Sequence, residues 1–453
     1  ATNLQALSEG TNTITANVSD AAGNAASQSS TTFIFDKTAP SITSITPSWG
    51  SHLNATEDNS SGTVTVITSG VEDGQTVTIG LNGTNYTGSV SSNSVTITIS
   101  ATDLQALTEG TNTITADVSD DAGNAASQSS TTFVYDKTSP SISSITLSWG
   151  TVLNATEDNN NGTVTVATSG VEDGQTVTLG LNSRTYTGSV SSNSVSITIS
   201  AARLQELVDG TTYTLTADVS DVAGNAATQS STTFIYDKSA PSISSITPSW
   251  GSHLNATEDN SSGTITVATS GVEDGQTVTV GLNGTNYTGS ISSNSVTITI
   301  SATDLQALSE GTNTITANVN DAAGNAASQS STTFTYDKTA PSISSITPSW
   351  GSHLNATEDN TDGTVTVVTS GIEDGQTVTL GLNNQTYTGS VSSNSVTITI
   401  STTDLQALSE GTNTITADVS DVAGNAASQS STTFVYDKTS PSISCLLYTS
   451  PSP

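Results

Sequence analysis

The chain is 453 residues long and carries 40 acidic against 7 basic side chains, a formal net charge of −33, with 32% apolar residues, 4% aromatics and one Cys. Such a polyanion repels nucleic acid and anionic membrane surfaces, and no apolar run approaches the roughly 18 residues that a membrane span needs. A single thiol excludes a disulfide-stapled scaffold and soft thiolate metal sites, and nothing in the composition points to an enzyme.

Internal repetition decides the organisation. The string Asp-Lys-(Thr/Ser)-x-Pro begins at Asp36, Asp136, Asp237, Asp337 and Asp437. Four complete repeats follow, 36–135, 136–236, 237–336 and 337–436. Residues 1–35 match the last third of a repeat, so the sequence opens mid-repeat and is expected to be cut from a longer protein. Residues 437–453 start another repeat, but from Cys445 onward the pattern stops, and 445–453 reads as a non-native adaptor tail.

Within 36–135 the elements follow in order. A strand is expected near 41–46, carrying Ile42 and Ile45, and a second over 63–69, where Val64 and Val66 alternate with Thr. Strands over 75–81 (Val77, Ile79, Leu81), 85–90 and 94–100 (Val95, Ile97, Ile99) come next. Residues 101–107 lack the alternation, and Leu104 with Leu107 predicts one helical turn across a sandwich end. Strands over 111–118 (Ile114, Ala116, Val118) and 129–135 (Phe133, Tyr135) complete the set. Period two puts the apolar side chains on one face and the hydroxyls on the other, and the β-branch of Thr suits strands. Turn signals such as Asp73-Gly74, Asn82-Gly83, Ser92-Asn93 and Gly123-Asn124 separate the segments.

Seven short strands in about 100 residues, with no room for crossover helices, predict an all-β chain of tandem immunoglobulin-like Greek-key sandwiches forming an elongated array. Leu, Ile, Val and Phe are sparse enough to favour disorder in a highly charged chain, but a disordered chain has no reason to keep period two and turn positions through four copies. The cores are expected to be thin. The third repeat starts one residue late because 210–215 is longer than 110–114, and a turn or bulge absorbs the extra residue without flipping Leu215, Ala217 and Val219.

The strand order brings three acidic elements to one pole of each sandwich: the linker, the loop after the second strand and the loop between the last two. In the first repeat the set is Asp36, Glu72, Asp73, Asp120 and Asn124. It recurs as Asp136, Glu172, Asp173, Asp221 and Asn225, as Asp237, Glu273, Asp274, Asp321 and Asn325, and as Asp337, Glu373, Asp374, Asp421 and Asn425. The preceding repeat's opposite pole, with Glu57, Asp58, Asn59 and Glu109, is expected to face this entrance. Converging carboxylates repel one another, and Ca²⁺, which takes six to eight oxygens in flexible geometry, relieves that cost. The alternative is that these side chains cap turns and keep the surface soluble. Between copies the linker Asp and the Glu-Asp pairs never change, whereas Asp103 is replaced by Arg203 and Asp117 by Asn17 or Asn318, which argues against those two as ligands. The EF-hand spacing is absent.

Other residues carry less. His52, His253 and His353 lie a repeat apart and cannot form one metal or catalytic site. Trp49, Trp149, Trp250 and Trp350 are expected to pack over the end of each sandwich, a ligand platform being the other reading. No nucleophile–base arrangement and no phosphate cradle recurs.

The run Asp-x-Ala-Gly-Asn-Ala-Ala … Ser-Thr-Thr-Phe … Tyr-Asp-Lys-Thr-(Ala/Ser)-Pro, over about 1–440, resembles the bacterial Ig-like repeats of giant Gram-negative surface adhesins, the biofilm-associated and RTX-type extender domains. The resemblance implies a secreted, extracellular, cell-surface stalk stiffened by interdomain Ca²⁺. Its partners would be neighbouring repeats, with a host-cell, biofilm or surface ligand bound by a distal module elsewhere. It also implies that the linker Asp residues and Asp120, Asp221, Asp321 and Asp421 are leading ligands. Lack of Cys over 1–444 agrees with secretion of an unfolded chain. The antibody-type disulfide and third-strand Trp are absent. Two further readings stay open: a multivalent carbohydrate- or protein-binding array, and a spacer in a secreted polysaccharide-degrading enzyme.

Overall fold

A computed structural model describes residues 4–444; the predicted foreign tail, with Cys445, lies outside the described residues. The chain divides into two compact units, Ala1–Asp237 and Lys238–Pro453.

In the first unit, β1 (Gly10–Ala16) and β2 (Ser29–Phe35) form an antiparallel pair. Then follow β3 (Ser41–Pro47), β4 (His52–Leu53), β5 (Gly62–Ser69), β6 (Thr76–Leu81), β7 (Thr84–Ser89) and β8 (Ser94–Ile99). Helix α1 (Ala101–Gln105), β9 (Gly110–Asp117) and β10 (Ser129–Tyr135) complete the repeat. One sheet has the order β3-β5-β8 and the other β4-β10-β9-β6-β7. The same three- and five-stranded pair recurs three more times along the chain. This is the expected all-β sandwich, with one strand more than the seven read from periodicity. The extra strand, β4, is two residues long and pairs in parallel with Val134 and Tyr135, too short for alternation to show.

Alternation becomes burial. Val95, Ile97 and Ile99 of β8 are buried while Thr96 and Thr98 are exposed. Val64 and Val66 from the small sheet meet Ile79, Leu81, Ile114, Ala116, Phe133 and Tyr135 from the large one in a single core. Each fully buried Val or Ile contributes about 1.5–3 kcal/mol against an exposed position. Trp49 seals the end: its ring meets Phe133 edge-on at 5.3 Å, and it is 8% exposed. The ring lies so close over Gly62 that an added Cβ would be 2.5 Å from Cζ3. These Trp side chains are therefore core residues in all four repeats, and a ligand platform is ruled out by their burial.

The β6–β7 turn places Asn82 at φ 49° and Gly83 at φ 77°, the mirror-image turn that an Asn-Gly hairpin favours. Ser100 caps α1, accepting from the Asp103 N–H at 3.2 Å and donating to its carboxylate at 2.7 Å. The second repeat has Arg203 there, and Ser200 makes no such cap. Its extra residue is absorbed before the strand. Thr211 pairs with Tyr236 where Gly110 pairs with Tyr135, so Leu215, Ala217 and Val219 remain buried.

Candidate functional site

The loop joining β9 to β10 is built by one carboxylate. Asp120 is buried at 3% exposure, and its Oδ1 accepts from the Asn124 N–H at 2.7 Å while Oδ2 accepts from the Asn124 side chain at 2.8 Å. Burial pushes this acid upward, and hydrogen bonds from the Asn124 side chain and from the Asn124, Ala122 and Gly123 N–H groups outweigh it, leaving the carboxyl below its ordinary value. Asn124 also donates to the Asp36 carbonyl at 3.3 Å, and Glu72 accepts from the Asp121 N–H at 2.9 Å. The linker, the β5–β6 turn and this loop thus meet at one pole.

The individual side chains are used differently. The Asp36 carboxylate caps its own linker by accepting from the Thr38 N–H, and Asp73 turns away to accept from the Ser92 N–H at 2.7 Å. In the second repeat Asn225 donates to Asp221 and to the Asp136 carbonyl, Glu172 accepts from the Val222 N–H, and Asp173 accepts from the Ser192 N–H. The third repeats Asp321 with Asn325, Glu273 with the Ala322 N–H, and Asp274 with the Ser293 N–H. In the fourth, Asn425 donates to Asp421 and to the Asp337 carbonyl, Glu373 accepts from the Val422 N–H, and Asp374 accepts from the Ser393 N–H. Among the described residues no three His, Cys, Asp or Glu side chains are grouped to hold a metal ion.

At the other pole the expectation for Asp58 needs correcting. It does not face the next repeat: it is buried, and Tyr135 donates its hydroxyl to Asp58 Oδ2 at 2.7 Å. Burial, that hydrogen bond, and the charges of Asp58 and Glu109 push the Tyr135 phenol up to about 12. Glu109 holds the linker instead, accepting from the Lys137 N–H and the Thr138 hydroxyl at 3.0 Å each.

Tyr135→Phe is expected to destabilise its repeat by about 1.5–3 kcal/mol, because a buried carboxylate loses its donor. The raised phenol also sets a pH dependence. Its contribution is complete below the ordinary value of 10.0 and is lost as pH rises through the folded value near 12. Urea midpoints between pH 9 and 12 should fall for the parent protein, and the Tyr135 share of that fall should vanish in the variant.

The residues missed from the sequence are Asn54 and Ala55. Asn54 Nδ2 donates to the Ala223 carbonyl of the next repeat at 2.8 Å, and the Ala55 N–H donates to Asn225 Oδ1 at 3.0 Å. The second unit repeats this, with Asn255 donating to Ala423 and Ala256 to Asn425. The recurrence of Leu-Asn-Ala-Thr-Glu-Asp-Asn in every copy was the available signal.

Among solved structures the chain is similar to a Ca²⁺-stabilized adhesin that helps an Antarctic bacterium reach out and bind ice. Identity is 25%, with 87% of this chain and 99% of that chain covered and a TM-score of 0.37. It is similar to a structure bearing on host cell surface retention of a 1.5-MDa bacterial ice-binding adhesin, at 26% identity, 64% and 95% coverage and a TM-score of 0.36. A third is a tetra-tandem repeat in the extending region of a large adhesion protein, at 19% identity, 87% and 99% coverage and a TM-score of 0.35. No curated protein matches. The family of bacterial Ig-like domains (group 3) matches residues 1–91, 95–241 and 296–403, most of the chain, and the protein belongs to that family.

Proposed function

We propose that the chain is a structural extender segment of a secreted cell-surface adhesin, projecting a distal binding module for cell adhesion or biofilm formation. The observation that carries this reading is the coupling of repeat to repeat. Within each unit the end loop of one sandwich bonds directly to the entrance loop of the next. A module that binds its own successor is suited to bearing a load along a chain. Large aromatics supply most binding hot spots, and the four Trp together with the Phe and Tyr that close each repeat are buried in the cores, so a passive role fits better than a ligand-binding array or a catalytic one.

Calcium belongs to the same proposal. Hard carboxylate oxygens at the entrance have the right chemistry, although as arranged they serve as hydrogen-bond acceptors rather than a cage. The residues assigned to the ion are the linker Asp (Asp36, Asp136, Asp237, Asp337), the loop Asp (Asp120, Asp221, Asp321, Asp421) and the neighbouring Glu72, Glu172, Glu273 and Glu373. Asp73 and its counterparts face the β7–β8 turn, and the amides of Asn124, Asn225, Asn325 and Asn425 are already engaged, so these contribute least. The bound ion would neutralise the acids gathered at the entrance.

Small-angle scattering of the protein in EDTA, then in Ca²⁺ with Mg²⁺ as control, tests the reading. The maximum dimension should rise on adding Ca²⁺ and not on adding Mg²⁺. A profile unchanged by Ca²⁺ would remove calcium stiffening from the proposal.

A further inference from the structure

We infer that, within each unit, consecutive repeats are also joined by a metal-independent latch, in which the Asn-Ala pair of one repeat's end loop closes on the Ala-Gly-Asn of the next repeat's entrance loop. The inference rests on the extender reading but not on calcium. Asn54 is the pivot. Its Oδ1 accepts from the Thr56 and Glu57 N–H groups, at 2.9 and 3.0 Å, which folds the end loop. Its Nδ2 is thereby aimed outward at the Ala223 carbonyl. The Ala55 N–H then finds Asn225 Oδ1, whose own Nδ2 is anchored on the Asp136 carbonyl and Asp221. The oxygen and the nitrogen of both amides are thus engaged, on the half-buried Asn54 and the buried Asn225 alike, and linked polar groups of this kind reinforce one another.

This arrangement explains the middle residue of the motif. Gly224 has φ +93°, and a Cβ there would lie 3.1 Å from Asn54 Nδ2. Gly424 stands in the same relation to Asn255, at 3.3 Å. Gly123 has nearly the same φ, +89°, yet a Cβ there would meet nothing within 4 Å. Its loop has no end loop against it among the described residues. The glycine therefore serves two purposes, the turn in every copy and close approach where the latch is made.

A second comparison lies at the other half of the latch. The end loop at Asn355 has no successor loop against it among the described residues, and Asn355 Nδ2 folds back to donate to Glu358 Oε2 at 2.8 Å. Asn54 and Asn255 instead donate across to the next repeat. The amide thus has two settings, a closed one within its own loop and an engaged one across the joint.

The test uses the full chain with Cys445→Ser and spin labels at Asn85→Cys and Thr185→Cys, equivalent exposed positions in adjacent repeats. The inter-label distance distribution is read by pulsed electron resonance in EDTA. A narrow distribution in EDTA that Asn54→Ala roughly doubles in width, with Asn355→Ala leaving it unchanged, is the expected result, since only the first removes cross-joint bonds. Gly224→Ala should broaden it as well and Gly123→Ala should not, which guards against a folding defect in the Asn54 variant. A parent distribution already broad in EDTA, or one that Asn54→Ala and Gly224→Ala leave unchanged, overturns the latch. A distribution that narrows only on adding Ca²⁺ overturns the latch while sparing the calcium-stiffened extender. One that is narrow in EDTA, broadened by Asn54→Ala and indifferent to Ca²⁺ supports the latch and removes calcium.

Discussion

Trp149→Ala is expected to destabilise the 136–236 repeat by about 3–5 kcal/mol, the range for truncating a large buried aromatic. The Trp149 ring is 6% exposed, meets Phe234 edge-on at 5.4 Å, and lies against Gly162, where a Cβ would fall 2.3 Å from Cζ3. The residue that faces the ring, Gly162, has no side chain with which to refill that volume. A domain is stable by only about 5–15 kcal/mol, so the variant repeat should lose a large share of its stability. Calorimetry should show one transition moved to low temperature while the others stay, and limited proteolysis should cut within 136–236. Trp149→Phe is expected to cost far less, about 1–2 kcal/mol, for a specific reason. Trp149 Nε1 is buried without a hydrogen-bond partner among the described residues, a burden that phenylalanine removes while keeping most of the packing.

Calcium is expected to produce the other large effect. At about one hundred times its dissociation constant, a ligand that binds only the folded form stabilises it by about 2.7 kcal/mol per site. For a repeat of this size that corresponds to a rise of about 10–20 °C in melting temperature. Scanning calorimetry in EDTA and in saturating Ca²⁺ reads it directly. Glu172→Gln discriminates between the ion and the hydrogen bond. The Glu172 carboxylate accepts from the Val222 N–H at 2.9 Å, and glutamine retains that acceptor while removing the charge. The melting temperature in EDTA should therefore barely move, and the calcium increment of that repeat should shrink. A full increment in the variant would take Glu172 out of the ligand set.

The local grammar was open to reading. Period two in Val95, Ile97 and Ile99 announced both strand and inward face because a pleated chain alternates its side chains. Asn82-Gly83 announced the hairpin because few residue pairs accept two positive φ values. The break in alternation over 101–107 announced α1. What stayed hidden were short or non-local events. A two-residue strand such as β4 has no period to detect, and its partner β10 lies some eighty residues onward. Asp58 looked like one acid in an exposed Glu-Asp-Asn run, but the β4–β10 pairing carries Tyr135 over it and buries the carboxylate.

The entrance cluster divides along the same line. Strand order alone placed Asp36, Glu72 and Asp120 at one pole, since each strand reverses the chain's direction. Side-chain direction was not determined by it: Asp73, adjacent to Glu72, turns to the Ser92 N–H, because that backbone group of the β7–β8 turn needs an acceptor. By itself, then, the sequence determined the repeat length, the all-β sandwich, the buried face of each strand and the pole at which the acids collect. All of these follow from local periodicity and chain reversal. Tertiary structure alone decided which polar atoms bond to which, turning Asp58 inward and sending Asn54 across to the next repeat. Those choices depend on partners far along the chain, the Tyr135 hydroxyl 77 residues from Asp58 and the Ala223 carbonyl 169 residues from Asn54, which no local pattern brings together.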